Sequence, residues 1–261
     1  MLEIKDLCVK YGDYSVLNQI YLSLNTLEIV SIVGPNACGK STLLKAINSE
    51  VKIHRGSILL NISEKYKENP EEVPKYKAVL PQSSGLNFDF KVSELVLMGR
   101  YPYFSSVSKK RNLDVVMFVL ERLEIEDLFD RSYLRLSGGE QQRVHFARIL
   151  AQIYECYIHQ KGGVVFLDEP ISNLDLKHQY LILELLKELR DSGITIFLVI
   201  HNIEQAMNYS DRVVLMKRGR IMANGKPEET LTSKRIKNIF EIENEWISSD
   251  NKNFLKILPK K

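Results

Sequence analysis

Nine residues limit the possible folds of this chain more than any other stretch: Gly34-Pro35-Asn36-Ala37-Cys38-Gly39-Lys40-Ser41-Thr42. They fit G-x-x-x-x-G-K-[ST], a loop whose successive backbone N–H groups curl around an anion. The helix that follows adds unpaired donors and a positive dipole end. Lys40 supplies a point charge for the β- and γ-phosphates of a nucleotide, and the Ser41 hydroxyl is placed to coordinate Mg²⁺. The flanks agree, because residues 28–33 read as a buried strand and residues 43–47 as an apolar helical stripe.

Two positions strain this pattern. Ala37 and Cys38 stand where glycine and a small residue would be easier. Ala37 fits only if its backbone stays out of the glycine-only region. Cys38 is expected beside the phosphate, at a helix N-terminus that lowers a thiol pKa.

A length of 261 residues suits one large α/β domain or a core with a smaller subdomain. The net charge of +3 is too small to imply nucleic acid, and no basic stripe is interleaved with aromatics. No apolar segment of a secretory signal follows Met1, and the longest apolar run, residues 194–200, is only strand-length. Cys8, Cys38 and Cys156 are scattered with no C-x-x-C pair, which suggests a reducing cytosol and no zinc site. The expectation is a soluble intracellular chain that needs a partner for any membrane role.

Residues 1–30 read as strands, with a turn at residues 11–13. Tyr11, at a strand end, is either a half-buried sheet residue or a platform that stacks on adenine. Residues 56–61 read as a strand, residues 63–77 as a charged surface connection, and residues 77–82 as a strand ending at polar Gln82. The pattern then turns helical, over residues 92–99, 109–123 and 138–154, as an insertion in the sheet. Residues 164–167 form an apolar run of the buried parallel type, followed by a helix over 174–190 and a buried strand over 195–200. A hairpin is expected around Arg218-Gly219. The tail from Lys226 holds a short helix near 233–240 and then a polar stretch with Trp246.

Asp168 and Glu169 end the apolar run, where a carboxylate holds Mg²⁺ and a second polarises an attacking water. Residues 136–143, Leu-Ser-Gly-Gly-Glu-Gln-Gln-Arg, make a second anion-ready helix start: Ser137 is a good N-cap, and Gly138 and Gly139 expose backbone N–H groups. A buried-strand end also places His201 where it can serve chemistry.

With these residues in order, the sequence closely resembles the ATP-binding subunits of ABC transporters. Leu136–Arg143 is similar to the ABC signature, Ser172-Asn173-Leu174-Asp175 to the D-loop, Gln82 to the Q-loop glutamine and His201 to the switch histidine. Tyr11 falls where the family's adenine-stacking aromatic is expected. The resemblance implies a P-loop NTPase core in the α/β class, with a mixed, largely parallel sheet flanked by helices, antiparallel N-terminal strands and an inserted α-helical subdomain. It divides the chain into a core of 1–84 and 162–232, a signature subdomain of 85–161 and a tail of 233–261. It also implies a head-to-tail homodimer with two ATPs, in which Ser137 and Gly139 of one subunit contact the γ-phosphate held by Lys40 of the other. Asp175 joins the nucleotide-contacting set, Gln82 joins Ser41 and Asp168 around Mg²⁺, and Glu169, His201, Lys40 and Gln82 act in hydrolysis. Ala37, Cys38 and Ile171 depart from the family pattern.

Residues 94–103 resemble the segment after the Q-loop in ATPases of iron-siderophore, haem and vitamin B12 importers, where it grips the permease's coupling helix. Residues 136–152, 153–163 and 174–179 look closest to haemin-importer ATPases. The resemblance implies haemin import, with ferric siderophore second and cobalamin third. It implies a two-copy integral membrane permease and, indirectly, a periplasmic or lipoprotein substrate-binding protein, with this chain peripheral on the cytoplasmic face of the bacterial plasma membrane. A soluble ABC ATPase in an assembly or regulatory role is the alternative. A docking groove needs exposed apolar and aromatic side chains around residues 98–103, which a soluble module does not.

Overall fold

The computed structural model describes residues 2–61, 70–82, 88–250 and 252–259. The strands are β1 (Leu2–Tyr11), β2 (Tyr14–Leu24), β3 (Ile29–Val33), β4 (Arg55–Leu60), β5 (Lys77–Leu80), β6 (Gly163–Asp168), β7 (Ile194–Val199), β8 (Arg212–Lys217), β9 (Arg220–Gly225), β10 (Asn244–Ser249) and β11 (Lys252–Ile257). The helices are α1 (Lys40–Ile47), α2 (Val73–Tyr76), α3 (Val92–Leu97), α4 (Lys109–Arg122), α5 (Gly138–His159), α6 (Leu176–Asp191), α7 (Ile203–Tyr209), α8 (Pro227–Thr230) and α9 (Ser233–Phe240). The architecture is a mixed, largely parallel sheet flanked by helices, with antiparallel strands at the N-terminus. The chain divides into two compact units, residues 1–61 with 196–261, and residues 62–195.

In the first unit, β1 pairs antiparallel with β2 and β4. The buried side chains of β1 change phase, from Leu2 and Ile4 to Leu7 and Val9. A bulge at Asp6, φ 48°, makes that shift, since a period-2 strand otherwise keeps one face inward. Gly56 faces the bulge at φ 96°, where a Cβ would lie 2.4 Å from the Asp6 carbonyl. β3 runs parallel to β7 and β8, and β8 turns antiparallel into β9. β3 and β7 are buried along their whole length, as a strand covered on both faces must be.

In the second unit, β5 and β6 pair in parallel, with Lys77 opposite Val164 and Leu80 opposite Leu167. α4 buries Val115, Val116, Val119 and Leu120 at helical spacing, and α5 supplies Val144, Phe146, Ile149, Leu150 and Ile153.

Several expectations need adjustment. The third helix runs on to His159, so the segment before β6 is mostly helix and ends at Gln160 in the left-handed region, φ 50°. Residues 92–99 split into α3 and a 3₁₀ turn, Met98–Tyr103, because Pro102 lacks the N–H that a continuing α-helix needs. The polar tail after α9 is a β-hairpin, with Trp246 opposite Leu255 and Ile247 opposite Phe254. The connection expected over 63–77 lies partly outside the described residues, and its described end forms a 3₁₀ turn and α2. No described helix is long and apolar enough to cross a membrane.

Candidate nucleotide site

β3 delivers the chain into the loop at full burial, and the loop is held from three sides. Lys40, 6% exposed, folds back so that its Nζ donates to the carbonyls of Gly34 at 2.9 Å and Pro35 at 3.0 Å. Gly34 has no room for a side chain: a Cβ would stand 2.4 Å from the Met216 carbonyl and 2.8 Å from Cys38 Sγ. Gly219, in the β8–β9 turn at φ 72°, donates its N–H to the Cys38 carbonyl at 2.9 Å. Its own carbonyl accepts from Asn18 N–H at 2.9 Å, so the turn ties β2 to the loop. Gly39 caps α1 at φ 103° with no side-chain hydrogen bond.

Ala37 sits at φ 58°, in the left-handed region that a methyl side chain occupies at some cost. Cys38 reverses its sequence-based expectation. Burial raises its thiol pKa and outweighs the opposing effect of Lys40, so the residue behaves as a small buried hydrophobe rather than a reactive thiolate.

Beside the loop opens a cavity of about 610 Å³, lined by Pro35, Asn36, Ala37 and Cys38, by Tyr14 and Val16 of β2, by Lys217–Gly219 and by Ile239–Glu241. Tyr11 and Tyr14 pair across the β1–β2 hairpin and are both exposed, but it is Tyr14 that lines this cavity. Tyr14, Arg218 and the end of α9 carry no sequence signal for this place. Their positions follow from hairpin pairing and not from periodicity.

The second unit presents its own cluster. Asp168 ends β6 at 2% exposure. Glu169 follows at φ 54°, a left-handed turn directly after a buried strand. Gln82 Nε2 donates to Glu169 Oε1 at 3.1 Å, which brings the two sequence-predicted residues together. The Ser172 hydroxyl donates to the Glu169 carbonyl at 3.1 Å, and Gln142 Nε2 to that of Pro170 at 3.0 Å, which fixes the turn's backbone.

Ser137 is the N-cap of α5, as expected. Its hydroxyl accepts from Glu140 N–H at 3.3 Å, while its N–H and its hydroxyl both donate to Glu140 Oε2 at 2.7 Å, completing a capping box. These bonds hold the Glu140 carboxyl below its usual range. Asp175 caps α6: its Oδ1 accepts from the backbone N–H of His178 at 2.9 Å and lies 2.8 Å from the ring Nδ1. That backbone bond, with the ring behind it, lowers the Asp175 pKa. His201 is exposed, two residues beyond β7, in the first unit.

The residues fit a nucleotide and its magnesium ion. A loop with no room for a Cβ at Gly34, a buried lysine and a helix start free of a side-chain cap make an anion site. The cavity volume is of the size that ligands of this class fill. Among the described residues no group of three or more His, Cys, Asp or Glu forms a metal cage. Ser41 and Asp168 are oxygen donors of the kind that Mg²⁺ takes together with phosphate oxygens.

A glycine-rich loop between a buried parallel strand and a helix, with a strand-end carboxylate pair, defines a P-loop nucleotide-binding domain. Residues 17–172 match the family described as ABC transporter, and the chain belongs to that family. It is similar to the Hemin import ATP-binding protein HmuV of Pseudomonas fluorescens, at 38% identity over 93% of each chain. The protein of that name from Aliivibrio fischeri is 37% identical over 92% of this chain and 90% of its own length. Among solved structures, a metal-chelate type ABC transporter in an inward-facing conformation matches with TM-score 0.78 and 25% identity, covering 100% of this chain and 97% of that one. The chain is an ATP-binding, ATP-hydrolysing subunit of the ABC type.

Proposed function

We propose that this chain drives haemin uptake, as a head-to-tail homodimer on the cytoplasmic face of the bacterial plasma membrane. It works with a two-copy membrane permease, fed from outside by a substrate-binding protein. The observation that carries the cargo is the similarity, along nearly the whole chain, to relatives named for hemin import. The docking surface is supported by geometry. Met98, Tyr101 (76% exposed) and Phe104 stand in solvent around the 3₁₀ turn, with the Tyr101 and Phe104 rings edge to face at 5.8 Å. Beneath them Arg100 is fully buried, donating to Asn112 Oδ1, the Ala151 carbonyl and Glu155, with its guanidinium 4.0 Å from the Tyr103 ring. Exposed aromatics on a rigid base are what a helix-gripping surface requires.

The division of labour follows from phosphoryl-transfer chemistry, which asks for positioning and charge stabilisation. Lys40 and the N–H groups of residues 34 and 36–42 hold the β- and γ-phosphates, and Tyr11 stacks on adenine. Ser41, Asp168 and Gln82 hold Mg²⁺, which supplies charge neutralisation. Glu169 orients the attacking water, His201 hydrogen-bonds the γ-phosphate, and Ser137, Gly138, Gly139 and Asp175 act on the ATP of the partner subunit. Residues 85–161 form the signature subdomain, carried on a core of 1–84 and 162–232, with a tail of 233–261. Glu169→Gln is expected to cut turnover by about a hundredfold or more while ATP binding survives and the dimer accumulates. Native-rate hydrolysis by that variant would remove Glu169 from the role.

Purification of the tagged chain from native membranes tests the assembly. A permease whose binding protein stimulates hydrolysis only when loaded with haem supports the whole reading. Stimulation by a loaded siderophore or cobalamin changes the cargo, and the absence of any membrane partner leaves a soluble ABC ATPase.

A further inference from the structure

The tail hairpin does something the family resemblance does not call for. An antiparallel hairpin leaves one edge of each strand unpaired, and such edges need covering. On β11 the cover is α7. Asn208 Nδ2 donates to the Asn253 carbonyl at 2.8 Å, and Asn253 N–H donates back to Asn208 Oδ1 at 2.9 Å. One carboxamide thus makes both bonds that a neighbouring strand would make. One turn earlier on the helix, Glu204 Oε1 accepts from Leu255 N–H at 2.7 Å. Glu204 and Asn208 are spaced i and i+4 on one face of α7, matching Asn253 and Leu255 at i and i+2 on one edge of β11. Trp246 Nε1 donates to the Leu231 carbonyl at 2.6 Å, and Asn244 Nδ2 to the Ser233 carbonyl at 3.2 Å, which anchors the hairpin from its other end.

The helix held this way is short, with seven residues, and begins two residues after His201. Asn202 caps it by accepting from Gln205 N–H at 3.1 Å. Its inner side packs on β3, the strand that runs into the phosphate loop. A helix of that length has little stability of its own, so its pose is set by what packs on either side.

We infer that Glu204 and Asn208 are positioning residues for ATP hydrolysis: by locking α7 to the free edge of β11 they fix the segment that presents His201. The inference rests on the reading of His201 as the γ-phosphate partner. It assigns the tail hairpin a part in turnover rather than in nucleotide binding.

The experiment is steady-state ATP hydrolysis by the purified full-length chain, with unfolding midpoints taken alongside. Asn208→Ala removes the contact from the helix side. Asn253→Pro removes one of the two bonds from the strand side, because that N–H points outward to Asn208 and an edge position tolerates proline. Ser248→Ala is the control for the lost Ser248–Asn253 side-chain bond and stays at the native rate. Both test variants are expected to lose kcat on the order of tenfold, with KM for ATP within about twofold and the urea midpoint little changed. The double variant falls no further than Asn208→Ala alone, which already cuts both bonds. Glu204→Gln, which keeps an acceptor, restores the rate lost in Glu204→Ala. Native kcat in Asn208→Ala and Asn253→Pro overturns the inference, as does a fall in kcat matched by losses in ATP affinity and stability. His201→Ala separates the two readings. If it abolishes hydrolysis while Asn208→Ala is native, only the inference fails; if it hydrolyses at the native rate, the premise fails with it.

Discussion

The two anion-ready helix starts of this chain, at α1 and at α5, are built in opposite ways. At α1 the cap is Gly39, with no side chain to bond the first turn, and the preceding loop is gripped by neighbours that leave no room for a Cβ at Gly34 or Gly219. At α5 the cap is Ser137, and the capping box with Glu140 takes up the N–H groups of both residues from within. A Cβ on Gly138 would meet nothing within 4 Å. The first start is therefore shaped by its own fold, with no side-chain cap on its first turn. The second carries a side-chain cap of its own, and nothing in its packing demands the first glycine. The requirement for glycine at 138, where it exists, comes from what approaches from outside.

That contrast can be broken by substitution. The largest effect is expected from Lys40→Ala, which should weaken ATP binding by the isolated chain about a hundredfold, read by titration calorimetry; Ser137→Ala should leave the same titration unchanged. Gly219→Ala comes next. At φ 72° and with a Cβ 2.2 Å from the Val16 carbonyl, it should cost about 1–3 kcal/mol, seen as a lower urea midpoint. Gly138→Ala should run the other way in stability, raising it by about 0.4–1 kcal/mol, while lowering hydrolysis several-fold. If stability and activity fall together at Gly138, the distinction between the two starts is wrong.

The smallest effect is that of Ser137→Ala on stability, about 1 kcal/mol for a lost N-cap. Its pH dependence has a definite sign. The folded Glu140 pKa is depressed, so its contribution is present above the ordinary glutamate value and is lost as pH falls through the folded one. The gap in urea midpoint between the wild-type chain and Ser137→Ala should therefore narrow on acidification below about pH 4. A gap that stays constant would mean that the capping box does not depend on ionised Glu140.

What the sequence made legible was whatever one short stretch determines alone. The loop of residues 34–42, the Ser137 cap, the apolar strand before Asp168 and α9 are local matters of donor spacing, capping chemistry and period, and the structure follows them. The thiol pKa of Cys38 moves opposite to the sequence-based expectation because a helix N-terminus is visible in sequence and the desolvation that overrides it is not. The tail hairpin was missed for a similar reason. Its strands alternate weakly, with Trp246 and Leu255 on one face and Ile247 and Phe254 on the other, so neither period nor polarity announces a sheet. The Gln82–Glu169 bond joins residues 87 positions apart, and the turn at Gly219 meets the loop only through the pairing of β8 with β9.

The burial of Arg100 separates the inside of the 3₁₀ turn from its outside. The Arg100 bonds that hold the turn run inward, to α4 and α5, while Met98, Tyr101 and Phe104 face solvent. Replacing those three would change what the surface can grip while leaving its foundation in place. In the proposed docking role, partner choice and fold stability are thus assigned to different residues of one short segment, 98–104. In that role, exchanging that surface would alter the partner and leave the fold intact.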